Sequence, residues 1–119
     1  MTESKVTIVL RTEQALRLWQ EVSLALVLDN KPDLTTRQMT ILLTVYLEPP
    51  PHTVRGLAAK LGVTKPVITR ALDTMGRMKM LKRKRDDRDR RNVIIQRTVE
   101  GALFLEEFAD LVSLQAEKI

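Results

Sequence analysis

The sequence predicts a mainly α-helical α+β fold carrying one small β-hairpin. Three observations predict it. Apolar residues recur at helical spacing through most of the chain, two short runs between residues 81 and 97 read as strands, the second with Val93 and Ile95 alternating against Ile94 and Gln96, and glycine (4) and proline (5) are too sparse for a turn-rich β protein. The 119 residues suffice for one domain and not for two independent cores. No apolar run approaches the roughly 18 residues of a membrane span, and the balance of 44% hydrophobic to 29% charged residues is that of a folded chain.

The first helix is expected from about Glu13 to Leu28. Ala15, Leu18, Trp19, Val22, Ala25 and Leu26 fall on one stripe, and Leu16, Leu24 and Leu28 widen it beyond the need of a single core. A second chain is therefore expected against Leu18, Trp19, Val22 and Leu26. The preceding Val6-Thr7-Ile8-Val9-Leu10 fits either a short strand or an early turn of the helix, because five β-branched and apolar residues carry no decisive period.

A second helix begins after Thr35, whose hydroxyl can accept from the N–H three residues on while Gln38 reaches back, a T-x-x-Q capping box. It ends near Glu48. Met39, Leu42, Leu43, Val45, Tyr46 and Leu47 cover so much of its surface that it is expected to be the central packing element. Pro49-Pro50-Pro51 then sets a stiff extended turn. Thr53 offers an N-cap for a short helix to about Leu61, with Leu57, Ala58 and Leu61 inward and Gly62 as its stop.

After a Gly62-Val63 turn, Thr64 caps a further helix that tolerates Pro66 in its first turn. Two helices so joined make a helix-turn-helix. In the second of them Ile68, Ala71, Leu72 and Met75 share one side, and Lys65, Pro66, Thr69, Arg70, Asp73 and Arg77 share the other. A helix that reads a DNA major groove needs such a face, slim at its start and cationic along its length. On it Arg70 suits a bidentate guanine contact, Thr69 a base or phosphate, and Pro66 a thymine methyl. Asp73 would repel phosphate unless Arg70 or Arg77, three and four residues away, neutralises it.

Leu81 to Arg85 and Asn92 to Arg97 then read as two strands joined by the charged tip Asp86-Asp87-Arg88-Asp89-Arg90-Arg91. A basic hairpin after such a helix is a wing, so the fold class is a winged helix-turn-helix. Arginine at the tip can enter a narrow minor groove; Arg88 and Arg91 are expected there or on phosphate, with Asp89 orienting an arginine. The charge agrees. Thr53 to Arg97 carries fourteen basic and four acidic residues, while the rest of the chain is net acidic, a field that attracts a polyanion. The residues expected to meet duplex DNA are thus Thr53, Thr64, Lys65, Pro66, Thr69, Arg70, Arg77, Arg88, Asp89 and Arg91.

Leu57-Ala58-x-x-Leu61-Gly62-Val63, Val67-Ile68-Thr69-Arg70-Ala71-Leu72-Asp73, and the tip Arg85 to Arg91 followed by Thr98-x-x-Gly101 make the chain, from about Leu34 to Gly101, resemble the MarR family of bacterial winged-helix regulators. The resemblance implies a homodimer on a pseudo-palindromic operator, usually a repressor released by a small ligand such as an aromatic acid. It places the family's D-x-R wing tip on Asp89 and Arg91. Lys79 stands where the family has glycine after the recognition helix, which predicts a longer or irregular exit, and Arg97 stands where the family prefers leucine. After Gly101 the sequence is shorter than the family's usual C-terminal helices, so the usual dimer and ligand pocket are not assumed. Ala102, Leu105, Phe108, Ala109 and Val112 form a stripe, with Leu103, Leu111 and Leu114 beyond it, expected to meet the Trp19 helix of its own or a second chain; Leu105, Phe108 and Val112 are its expected dimer contacts.

The expected organisation is one winged-helix domain, with a dimerisation helix region over 1–34, the DNA-binding core over 35–97 and a C-terminal, oligomerising helix over 98–119. Catalysis finds no support: His52 is the only histidine, expected in a loop beside the prolines, and no nucleophile motif accompanies it. One histidine and no cysteine cannot close a zinc site, so no metal or other cofactor is expected. Met75, Met78 and Met80 read as core filling. Trp19, Tyr46, Phe104 and Phe108 all lie outside the basic segment, which disfavours single strands and RNA loops. The absence of cysteine and of a signal peptide points to the cytoplasm, at the nucleoid. Two other readings compete with sequence-specific regulation: a nonspecific architectural DNA binder and a winged-helix module that docks another protein.

Overall fold

The structure, a computed structural model, describes residues 7–119. Its elements are α1 (Thr12–Leu28), α2 (Thr36–Leu47), β1 (His52–Thr53), α3 (Val54–Leu61), α4 (Lys65–Arg77), β2 (Leu81–Arg85), β3 (Val93–Arg97) and α5 (Val99–Glu117). This is the expected helical chain with a hairpin wing. The described residues form two compact units, one of Pro32–Phe108 and one of the residues up to Lys31 with Ala109–Ile119. Among them no helix is long and apolar enough to cross a membrane.

In the larger unit α2 starts on the expected capping box: Thr35 Oγ1 accepts from the Gln38 amide at 3.1 Å and the Gln38 carbonyl oxygen accepts from the Thr35 amide at 2.9 Å. Its inner face is Ile41, Leu42, Thr44 and Val45. Ile41, outside the expected apolar set, is fully buried, whereas Leu47, within that set, is 78% exposed. The reason is the helical period, because Leu47 lies about 200° around the axis from Val45. Leu57, Ala58, Ile68, Ala71, Leu72, Met75, Met80, Leu81, Ile95 and Phe104 complete one core with that face of α2. The expected inner residues of the helix-turn-helix are all there except Leu61, which is half-buried against it.

The sheet has three strands in the order β1-β3-β2, all antiparallel. His52, expected in a loop, instead pairs with Ile95 in β1 and is buried, its Nε2 3.0 Å from the Glu48 carbonyl oxygen. Two residues are too few to show a strand period. Only the unpaired edge of β3 fixes them. The second wing strand begins at Val93 and not at Asn92, whose amide instead donates to the Asp89 carbonyl at 2.9 Å and closes the tip.

The exit from α4 is regular, against expectation. Lys79 takes a left-handed φ of 61°, its amide donates to the Gly76 carbonyl at 3.0 Å, and the Met80 amide donates to the Met75 carbonyl at 3.0 Å. That is the Schellman pattern. Gly62 ends α3 in the same way at φ 68°, with the Val63 amide on the Ala58 carbonyl at 3.0 Å. Lysine thus occupies the conformation for which glycine has no steric penalty.

Arg97 has an equally local explanation. Its Nε donates to the Val45 carbonyl at 3.0 Å, and its guanidinium lies 5.5 Å from the centre of the Tyr46 ring. A cation here meets the unpaired carbonyls at the end of α2 and an aromatic face at once. Leucine could do neither.

In the smaller unit, α1 starts one residue before its expected limit, at Thr12, and residues 7–10 belong to no helix or strand; Val6 lies outside the described residues. Trp19 is 67% exposed, Leu18 and Leu26 are half-buried, and Val22 is 1% exposed. Val22 is therefore covered within its own chain and presents no surface to another. On α5, Phe108 and Val112 are half-buried, and Leu105 packs against the core of the larger unit, not outward as its expected dimer role requires. Leu16, Leu24, Val27 and Leu28 are the exposed apolar residues that accompany Trp19 on α1.

Candidate nucleic-acid interface

The buried side of α4 is Ile68, Ala71, Leu72 and Met75, so the 100° step between residues turns Lys65, Pro66, Thr69, Arg70 and Arg77 outward, and each of them is exposed. Thr64 precedes the helix with extended backbone, yet its hydroxyl makes no capping bond. The Thr64 carbonyl takes the first turn's amides of Val67 and Ile68 at 3.2 and 3.4 Å instead. Pro66, without an N–H, falls where the helix has no acceptor for one. Thr53 is half-buried, and its hydroxyl accepts from the Gly56 amide at 3.0 Å to cap α3, which leaves its proton available to an outside acceptor.

The one acidic group on the outer face of α4 is paired differently from expectation. Asp73 meets neither Arg70 nor Arg77; its Oδ1 lies 2.7 Å from the Arg83 guanidinium on β2. Arg83 shares a strand face with Leu81, which is buried, so β-strand alternation aims it back over the sheet toward α4. Arg77 donates to Thr74 Oγ1 at 3.3 Å. The sequence did show Arg83 as basic, but a pair between elements has no signature at i, i+3 or i, i+4.

At the wing tip the structure brings Asp89 and Arg91 together. Arg91 Nε and Nη2 donate to Asp89 Oδ1 and Oδ2 at 3.0 and 3.3 Å, and the Arg91 amide adds a third bond to Oδ1 at 3.1 Å. These bonds to the charged form, from side chain first and amide second, hold the Asp89 carboxyl below its ordinary value, with a smaller contribution from the positive charge of Arg55. The Arg91 guanidinium itself stays exposed. Arg88 is exposed as well, its amide donating to Asp86 Oδ1 at 2.9 Å in a local turn. Arg85 Nη1 donates to the Arg90 carbonyl at 2.7 Å across the base of the tip.

The helix pair, the wing and their charge therefore present one cationic surface from a single unit. Comparison with known proteins agrees with this architecture. The transcriptional regulator Tm0710 of Thermotoga maritima is similar at 25% identity over 89% of this chain and 72% of that one, with a TM-score of 0.72. The MepR–DNA complex of S. aureus shares the fold at 23% identity over 87% and 82% of the two chains, with a TM-score of 0.75, as does the YusO protein of Bacillus subtilis at 19% identity over 90% and 74%, with a TM-score of 0.74. Among curated proteins none matches. The sequence model of the MarR family matches residues 33–92, which hold α2, the helix pair, β2 and the wing tip, and the chain belongs to the MarR family.

Proposed function

We propose that the chain is a sequence-specific regulator of transcription, acting as a homodimeric repressor, with α4 in the major groove of duplex DNA and Arg91 in the adjacent minor groove. Its family makes it a transcriptional regulator and not an enzyme. The observation that carries the DNA reading is the outer face of α4. Lys65, Thr69, Arg70 and Arg77 are exposed there, and the only acid among them, Asp73, is already neutralised by Arg83. A face so arranged has uncompensated positive charge over the length of a recognition helix, which is what phosphates and guanine edges complement. The similar MepR structure is a complex with DNA. The exposed Leu16, Trp19, Val27 and Leu28 of α1 support the dimer, because large apolar side chains left in water on one short helix favour a partner.

The test is selection from fragmented genomic DNA at about 150 mM salt, which strips most nonspecific phosphate binding. A palindromic motif among the retained fragments is the expected result. Broad retention without a motif would favour an architectural DNA binder, and no retention would overturn the DNA reading.

A further inference from the structure

Beside the recognition face lies a groove of about 270 Å³ between the start of α2 and the middle of α4, lined by Arg37 and Gln38 on one wall and by Val67, Arg70, Ala71 and Thr74 on the other. Arg37 was no part of the expected interface. It precedes the basic segment by sixteen residues, on a helix that otherwise serves the core. In the fold, however, it faces the same groove as Arg70. Neither guanidinium has an acidic partner among the described residues, whereas Lys60, Arg83 and Arg91 each have one. Two like charges that share a groove repel each other, and an anion between them reverses the sign of that interaction.

We propose that Arg37 and Arg70 flank a phosphate of the DNA backbone, so that Arg37 anchors the strand beside the groove that α4 enters. The assignment rests on the DNA-binding reading above. It divides the work of the two arginines. Arg70 lies on the outward face of α4 and can reach base edges as well as this phosphate, so its loss lowers the salt slope and also relaxes sequence preference; Arg37, on α2, meets only the backbone, so its loss weakens all duplexes alike. The two guanidiniums are the only charged groups among the residues that line the groove, beside the neutral Thr35, Gln38, Val67, Ala71 and Thr74, which suits a phosphodiester held by charge.

The experiment measures binding of the full chain to a duplex recovered by the genomic selection and to a scrambled duplex of equal length, each from 50 to 200 mM KCl. Arg37→Ala is expected to weaken both duplexes by the same factor and to lower the salt slope by about one, so that affinity falls about threefold less over this range than for the parent. Arg37→Lys, which keeps the charge, is expected to retain the slope. Arg70→Ala is expected to weaken the selected duplex more than the scrambled one. An unchanged slope for Arg37→Ala, or a loss confined to the selected duplex, overturns the assignment while leaving DNA binding intact. Inorganic phosphate at about 10 mM that raises the melting temperature of the parent but not of Arg37→Ala, together with an unchanged slope on DNA, would assign the groove to a free anion. A parent that binds neither duplex would remove the underlying reading itself.

Discussion

The Tyr46 hydroxyl donates to the Thr98 carbonyl at 2.7 Å and accepts from the Thr98 amide at 2.8 Å, so one side chain of α2 satisfies both backbone groups of the residue that starts α5. Thr98 Oγ1 in turn shares its proton with the carbonyls of Lys79 and Met80 at 2.6 and 3.0 Å and accepts from the Gly101 amide at 3.0 Å. Three helices are thereby joined where α4 ends. Tyr46→Phe leaves the half-buried Thr98 amide without its partner, while the Thr98 carbonyl keeps the Ala102 amide at 3.1 Å, and a loss of about 1–3 kcal/mol is expected in urea unfolding. Gly101→Ala is expected to cost at least as much, because an added Cβ would fall on the Met80 carbonyl oxygen.

Lys79 offers the opposite sign. Its left-handed φ of 61° carries a steric cost that glycine does not have. Lys79→Gly should therefore stabilise the chain by about 0.5–1 kcal/mol, the lost strain being offset in part by glycine's freedom in the unfolded chain. A fall in the urea midpoint would instead mean that the lysine side chain makes a contribution larger than the strain it brings.

The Asp73–Arg83 pair joins the recognition helix to the wing through groups that are each more than a third exposed. Such a pair contributes little to stability, about 0–1 kcal/mol. Its effect on binding is of the other kind, since Asp73 is the one negative group on the face of α4 proposed to meet DNA. Asp73→Asn is expected to tighten both selected and scrambled duplexes and to steepen the salt slope, because it releases Arg83 and removes a repulsion. Weaker binding to the selected duplex alone would show that the pair holds α4 at its working angle.

The pattern of success in reading the sequence follows from range. The Thr35 capping box, the Gly62 stop, the two faces of α4 and the Asp89–Arg91 spacing are set by residues within four positions of each other, and all were legible. What was missed joins distant segments: His52 to Ile95, Asp73 to Arg83, Arg97 to the end of α2, Arg37 to the groove beside Arg70. Residue type alone gives no partner at such separations. Lys79 and Arg97 looked like departures from the family pattern, yet a Schellman turn and a helix-end cap accommodate each of them with bonds that one sequence does not display.

The wing tip permits a test by pH. Asp89 is held below its ordinary value of 3.8 by the bonds from Arg91. A depressed carboxyl favours the bonded state at every pH above its ordinary value, and that preference is lost as pH falls through the lower value in the folded chain. The window therefore lies below pH 3.8, so the clamp should be intact at neutral pH and insensitive to change around it. NMR titration of the Asp89 carboxyl is expected to give a midpoint below 3.8 in the parent and a return toward it in Arg91→Ala. The same clamp makes a binding prediction. Asp89→Asn keeps the shape but gives up the charged acceptor, so Arg91 loses its fixed pose and should bind the selected duplex more weakly at neutral pH, although the net positive charge has risen. Electrostatics alone predicts the reverse, tighter binding of every duplex, and that outcome would leave Asp89 no part in orienting Arg91.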